Sequence, residues 1–306
     1  MNMHHIRRGT GKPLLLIHGI GGSWSSWQLI IDPLVDAGRE VIAVDLPGHG
    51  GTAPLIGEVS IRTLANAVTN FLKLHDLVGV DVVGSSMGAR LVLELASRGG
   101  VVGAVVSLDP GGFWRGWEIP FFYYSVAASV RLVRLLQPVL PALTSNPISR
   151  TLLMAQFSAH PWQLPPKLVI DELRTFAASP SFDELLYQLA YGNPQQEGAP
   201  KGFIQAPLVI GWGRHDRVCP PHQASRALAR FPDARLHWFT HSGHFPQWDA
   251  PEETVSLILA ATDNESLNVF LSADSKSAAA SKNCAAVLGV GFVVALTGII
   301  LLSRKR

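Results

Sequence analysis

The pentapeptide Gly84-Ser85-Ser86-Met87-Gly88 follows a short apolar run and precedes a helical pattern. A serine at such a strand-to-helix turn holds a strained backbone, and flanking glycines leave the room it needs. The turn pushes Oγ of Ser86 out of the sheet, where a helix N-terminus favours developing negative charge. A serine hydroxyl is a weak nucleophile at neutral pH and needs a base within hydrogen-bond reach. His241 and His244, in His241-Ser-Gly-His-Phe-Pro-Gln-Trp, compete for that role. The Gly243-His244-Phe245 setting, followed by Asp249-Ala-Pro-Glu entering a helix, favours His244. An imidazole base in turn needs an acid that fixes its tautomer and stabilises its charged form. Asp216, directly after the apolar run Pro207–Gly211, is the expected acid, with Asp109 as the alternative. The intermediate of acyl transfer also needs donors for its oxyanion. The backbone N–H groups of Met87 and of Ile20 are expected to supply them. Ile20 lies in His18-Gly-Ile-Gly-Gly-Ser-Trp, whose glycines let the backbone approach a substrate closely. His18 is expected to hold that loop rather than to act on substrate.

These residues need a scaffold that converges on one edge. Lys12–His18, Val41–Asp45, Val80–Val83, Val101–Leu108, Pro207–Gly211 and the weaker Leu236–Phe239 are short apolar runs that predict strands. Ile61–Leu74, Leu91–Ala96 and Glu252–Ala261 carry helical spacing. Strands alternating with helices imply a mostly parallel sheet flanked by helices on both faces. Between about 113 and 200 the rhythm stops, and prolines at 120, 138, 141, 147, 161, 165, 166 and 180 divide the segment into short helical pieces. This predicts a helical cap inserted between strands. Its first stretch, Ile119–Val130, is apolar and aromatic but too short to span a bilayer before Arg131 and Arg134.

After the domain expected over 1–262, residues 263–283 turn to Asp, Asn, Ser, Ala and Lys and read as a flexible linker. Residues 284–302 contain no charge and are just long enough to cross a bilayer as a helix, with the basic tail 303–306 behind them. A single-pass C-terminal membrane anchor is therefore expected. The N-terminus does not read as a secretory signal, which favours a catalytic domain on the cytoplasmic side, while the positive-inside tendency of the three basic residues at the end points the other way.

Over the whole chain, 47% hydrophobic against 16% charged residues supports a large core, which excludes a disordered chain. A net charge of +2 without a basic stripe argues against nucleic acid as a partner. Cys219 and Cys284 form neither a disulfide framework nor a metal knuckle, and no metal or organic cofactor is implied.

Taken together, His18-Gly19 with Gly21-Gly22-Ser23, Asp45-Leu-Pro-Gly-His-Gly50, the Ser86 elbow, Asp216 and His244 resemble the α/β-hydrolase superfamily over about residues 5 to 262, the cap excepted. The order nucleophile, acid, base is the one expected there. The resemblance implies an eight-stranded, parallel-rich sheet with a helical cap. It departs at the start, where the family's first strand is missing or truncated, and at the tail anchor. The expected function is hydrolysis of a carboxylic ester, of a hydrophobic acyl group given the apolar cap, through an acyl-enzyme on Ser86. Relatives with the same triad cleave carbon–carbon bonds, thioesters or lactones, and the triad does not separate them. An aspartate at the elbow would mark epoxide hydrolases and haloalkane dehalogenases, and Ser86 argues against both. The competing class is a non-enzymatic, membrane-tethered binding protein of the same fold.

Overall fold

A computed structural model describes residues 3–192 and 196–263. The expected linker after Asp263, the membrane-spanning run 284–302 and the basic tail lie outside the described residues.

Seven strands form one sheet: β1 (His5–Arg8), β2 (Lys12–Ile17), β3 (Arg39–Val44), β4 (Asp81–Ser85), β5 (Val105–Leu108), β6 (Leu208–Gly213) and β7 (Arg235–Phe239). Their spatial order is β1-β3-β2-β4-β5-β6-β7, with β1 antiparallel to β3 and every other pair parallel. The last four residues of β2 and all of β5 are fully buried, because helices cover both faces of a parallel sheet. Those helices are α1 (Gln28–Asp36), α2 (Ile61–Leu74), α3 (Met87–Ser97), α9 (Ala224–Arg230), α10 (Pro246–Asp249) and α11 (Pro251–Thr262). In α2, Leu64, Ala65, Val68, Phe71 and Leu72 are buried on one stripe, and Ser60 opens the helix through a capping box with Thr63.

The structure differs from the sequence expectation at two places. The described residues form seven strands rather than eight, and the antiparallel edge position is occupied by β1, which begins only five residues into the chain. The four residues His-Ile-Arg-Arg are half-buried or exposed, as suits a short charged edge strand, and such a segment carries no apolar run. The cap prolines also act differently from the expectation. Pro147 and Pro166 open helices at their first position, and Pro120 lies in the first turn of a 19-residue helix, where a missing N–H breaks no bond.

Between β5 and β6 the chain forms α4 (Glu118–Leu136), α5 (Leu140–Ser145), α6 (Pro147–Met154), α7 (Pro166–Ala178) and α8 (Phe182–Tyr191). Through a tight turn, α4 continues into α5, giving a 28-residue helical run, Glu118–Ser145, long and apolar enough by composition to cross a bilayer. Its buried stripe of Phe122, Val126, Val130 and Val133 packs within the protein instead. At the start of α4, Glu118 accepts from Arg226, from Gln223 and from the backbone of Arg115, and pairs with His222. Burial pushes Glu118 up, but the hydrogen bonds of Arg226 and His222 outweigh it and hold its pKa at about 2.

Candidate active site

Every residue singled out for chemistry lies beyond the C-terminal end of a parallel strand, where crevices form in open α/β sheets. Ser86 follows β4, the middle strand of the seven. Its φ of 58° and ψ of −115° place a non-glycine residue in a region that L side chains avoid. Its amide N–H donates to Leu108 O at 2.9 Å, tying the turn to β5. A Cβ on Gly84 would stand 2.2 Å from Gly88 O, and one on Gly88 would stand 2.2 Å from Ile17 O. The turn therefore closes only with glycine at both positions.

The structure brings Ser86, His244 and Asp216 into one hydrogen-bonded chain. His244 Nε2 lies 2.8 Å from Ser86 Oγ, and Nδ1 lies 2.8 Å from Asp216 Oδ2. A carboxylate at Nδ1 fixes the proton there and leaves Nε2 free to accept from the serine hydroxyl. Asp216 is itself oriented, since Oδ1 accepts from the amides of Val218 at 2.7 Å and Cys219 at 2.9 Å. Asp109 does not reach His244. Its Oδ1 accepts from Gly213 N–H at 2.8 Å, and burial together with the charge of Asp216 pushes its pKa well above the usual carboxylate range. The rival base, His241, is exposed.

Cys219 Sγ, His244 and Asp216 present ligand-type atoms within 4.8 Å of one another. Burial keeps the Cys219 thiol protonated, and the carboxylate already serves His244 and two amides, so the donor set does not fit a metal ion.

The loop after β2 folds back on Ser86, with Gly19 so near that an added Cβ would lie 3.1 Å from Ser86 Cβ. His18, fully buried, donates from Nδ1 to Gly19 O at 2.7 Å and accepts at Nε2 from Leu46 N–H at 3.0 Å. Burial lowers its pKa, so a neutral imidazole braces the loop. Asp45 supports it further, accepting from Trp24 N–H at 2.7 Å and Gly51 N–H at 2.8 Å. Ile20 lines the pocket beside Ser86, and the Met87 amide is among the first-turn donors of α3 that lack an intrahelical acceptor.

The pocket in front of Ser86 and His244 is roofed by the cap through Phe122, Val126, Met154, Phe157, Leu173 and Phe176. Phe157 O also accepts from the His244 amide at 2.8 Å. Asp249 Oδ2 accepts from Ala159 N–H at 2.8 Å and Gly243 N–H at 2.7 Å, while Oδ1 takes the Ser158 hydroxyl. Cap and base loop thus share one clamp. Sequence reasoning missed the polar members of the pocket, Ser26, Glu172 and Gln247. Glu172 left a signal: it sits on the apolar stripe Leu168, Val169, Leu173 of α7, where a charge is out of place.

A sequence model of the alpha/beta hydrolase family matches residues 14–257. The chain is similar to a 2-hydroxy-6-oxononadienedioate/2-hydroxy-6-oxononatrienedioate hydrolase of Pseudomonas putida, 28% identical over 269 residues, 85% of this chain and 91% of that protein. Among solved structures it resembles an esterase from Exiguobacterium antarcticum, with a TM-score of 0.68 and 19% identity over 85% of this chain and 95% of the other. It also resembles an enol-lactonase from Burkholderia xenovorans, with a TM-score of 0.65 and 17% identity over 88% and 96%.

Proposed function

Because the chain belongs to the alpha/beta hydrolase family, we propose that it is a serine hydrolase cleaving the carboxylic ester of a hydrophobic acyl group. The observation that carries this reading is the Ser86–His244–Asp216 chain, with both links at 2.8 Å, opening into an apolar pocket. As Oγ of Ser86 attacks the ester carbonyl, His244 Nε2 takes its proton, and Asp216 stabilises the imidazolium that results. The N–H groups of Ile20 and Met87 receive the oxyanion. His244 then gives its proton to the departing alcohol, leaving an acyl group on Ser86. Water, deprotonated by the same imidazole, releases the acid and restores the serine.

The test is turnover of an ester series of increasing acyl length by the full chain and by Ser86→Ala. Long-chain esters should be preferred and activity should vanish with the hydroxyl. Absence of turnover together with failure of a fluorophosphonate to label Ser86 would sink the reading.

Carbon–carbon hydrolysis is the second reading, because the Pseudomonas putida relative is named for a dienedioate substrate. A dioate brings two carboxylates. The pocket is lined by the carboxyl of Glu172 and, among the described residues, by no lysine or arginine, which favours the neutral ester.

A membrane-associated enzyme is part of the same proposal. Trp117, Phe121, Tyr124, Leu135, Ile148 and Leu152 of the cap are all at least half exposed, a lipid-facing composition on the element that covers the pocket. With the apolar run 284–302 as anchor, this cap would rest on the cytoplasmic leaflet and receive its substrate from lipid. Flotation with phosphatidylcholine vesicles tests it: the full chain should float, and a chain ending at 263 with Phe121 and Leu135 changed to serine should not.

A further inference from the structure

One polar group in the apolar pocket has no task in the reaction above. Glu172, on the cap helix α7, lines the pocket with Ser86 and His244 and is 7% exposed. Its Oε2 accepts from the hydroxyl of Ser26 at 3.1 Å, across the seam between cap and body. Its Oε1 is buried and has no hydrogen-bond partner among the described residues. A buried polar atom without a partner is destabilising, so the fold tolerates here something that a ligand could relieve.

We propose that Glu172, held by Ser26, forms a polar subsite that receives an oxygen atom (hydroxyl, carbonyl or ether) carried by the otherwise apolar acyl chain, away from the scissile carbonyl. The inference rests on the serine-hydrolase reading and names the substrate class within it: oxygenated, uncharged acyl esters. Burial pushes the carboxyl of Glu172 up to about 8, and Asp171 on its own helix adds to that rise. The group therefore keeps its proton at neutral pH. With Ser26 donating to Oε2, the proton sits on Oε1 and points at the ligand oxygen. Among the described residues no cation of the packed elements pairs with it: Arg131 of α4 and Arg174 of α7 are exposed, and Lys167 pairs with Asp171. Arg134 of α4 is bonded to Ala177 O and Asp183, and Arg150 of α6 to the carbonyls of Thr144, Pro161 and Trp162. From the body, the pocket receives His244 and the uncharged Gln247 and Trp248, and α5 carries no charged residue.

The experiment compares kcat/KM for two chromogenic esters of equal acyl length, one plain and one with a mid-chain keto group, across pH 6–9.5. In the wild type the keto ester should be preferred by about tenfold or more, since a site built to hydrogen-bond rejects an analogue lacking the group. That ratio should collapse as pH rises past about 8, where Glu172 ionises and loses its donor. Taking a ratio removes every pH effect on the chemical step that both esters share. Glu172→Leu should abolish or invert the preference. Glu172→Gln keeps an N–H donor without a titration, so its preference should persist at every pH. A wild type without preference overturns the proposal, as does Glu172→Leu lowering both esters by one factor, the mark of a cap-to-body brace. Should the Leu variant not fold, the divergent pH profiles of wild type and Glu172→Gln still decide. Loss of turnover on both esters without fluorophosphonate labelling would instead strike at the hydrolase reading beneath.

Discussion

Asp216→Asn is the sharpest test of the site, because the surrounding hydrogen bonds dictate how the amide must lie. Oδ1 accepts from two backbone amides, of Val218 and Cys219, and among the described residues those donors have no other partner. The amide oxygen of asparagine must take that place, which turns its NH2 toward His244 Nδ1. Nδ1 then has to accept, the proton moves to Nε2, and the imidazole can no longer take a proton from Ser86 Oγ. A wrong tautomer at a serine triad lowers kcat by about 10⁴, or about 5.4 kcal/mol in the barrier. Asp109→Asn is the matched control. Asp109 is held protonated by burial and by Asp216, so an amide of the same shape removes no charge and can still accept from Gly213 N–H. Its effect should be less than about tenfold, or about 1.4 kcal/mol. The assay is steady-state ester hydrolysis, with thermal unfolding to show that both variants fold. An Asp216→Asn enzyme within tenfold of the wild type, or an Asp109→Asn enzyme as impaired as it, would refute the assignment of the acid.

Two further outcomes follow from strain and from charge. Ser86→Gly should be more stable than Ser86→Ala by about 1 kcal/mol, because only glycine accepts φ of 58° with ψ of −115° without strain. For a domain of this size that is a Tm difference of about 2–4 °C in calorimetry, and equal Tm values would mean the elbow is relaxed. Glu118 has its folded pKa lowered to about 2, so its contribution to stability is present above the unfolded value near 4 and is lost as pH falls from there toward 2. Glu118→Gln should therefore lose stability at pH 6 yet show a shallower fall in Tm between pH 4 and 2. Parallel Tm–pH curves would show that Arg226 and His222 do not stabilise the charge.

Much of this site could be read from the sequence because its parts depend on local rules. The elbow needs glycines at 84 and 88 since backbone oxygens of Gly88 and Ile17 fill the space a side chain would take. The helix Ile61–Leu74 keeps the bounds its spacing predicts. Strand ends were less legible: Val101–Leu108 narrows to Val105–Leu108, because Gly103 turns back to donate to Val80 O before the ladder begins. β1 escaped because an edge strand of four half-exposed residues needs no apolar run. The cap prolines were misleading because a proline that opens a helix and one that breaks it look alike until the helix boundary is known. Ser26 and Glu172 were hidden for a different reason. They meet across 146 positions of chain, and only the docking of the cap on the body makes them neighbours.

The clamp that joins cap and base loop also bears on timing. The His244 amide is bonded to Phe157 O, and Asp249 grips both Ala159 and Gly243. A cap that lifts at this end must break those bonds or carry the imidazole away from Ser86. In the second case the Ser86 hydroxyl loses its imidazole partner while the pocket stands open to bulk water. If the imidazole follows the cap, admission of substrate and arming of the serine become one event; if only the cap bonds break, Asp216 keeps His244 on Ser86.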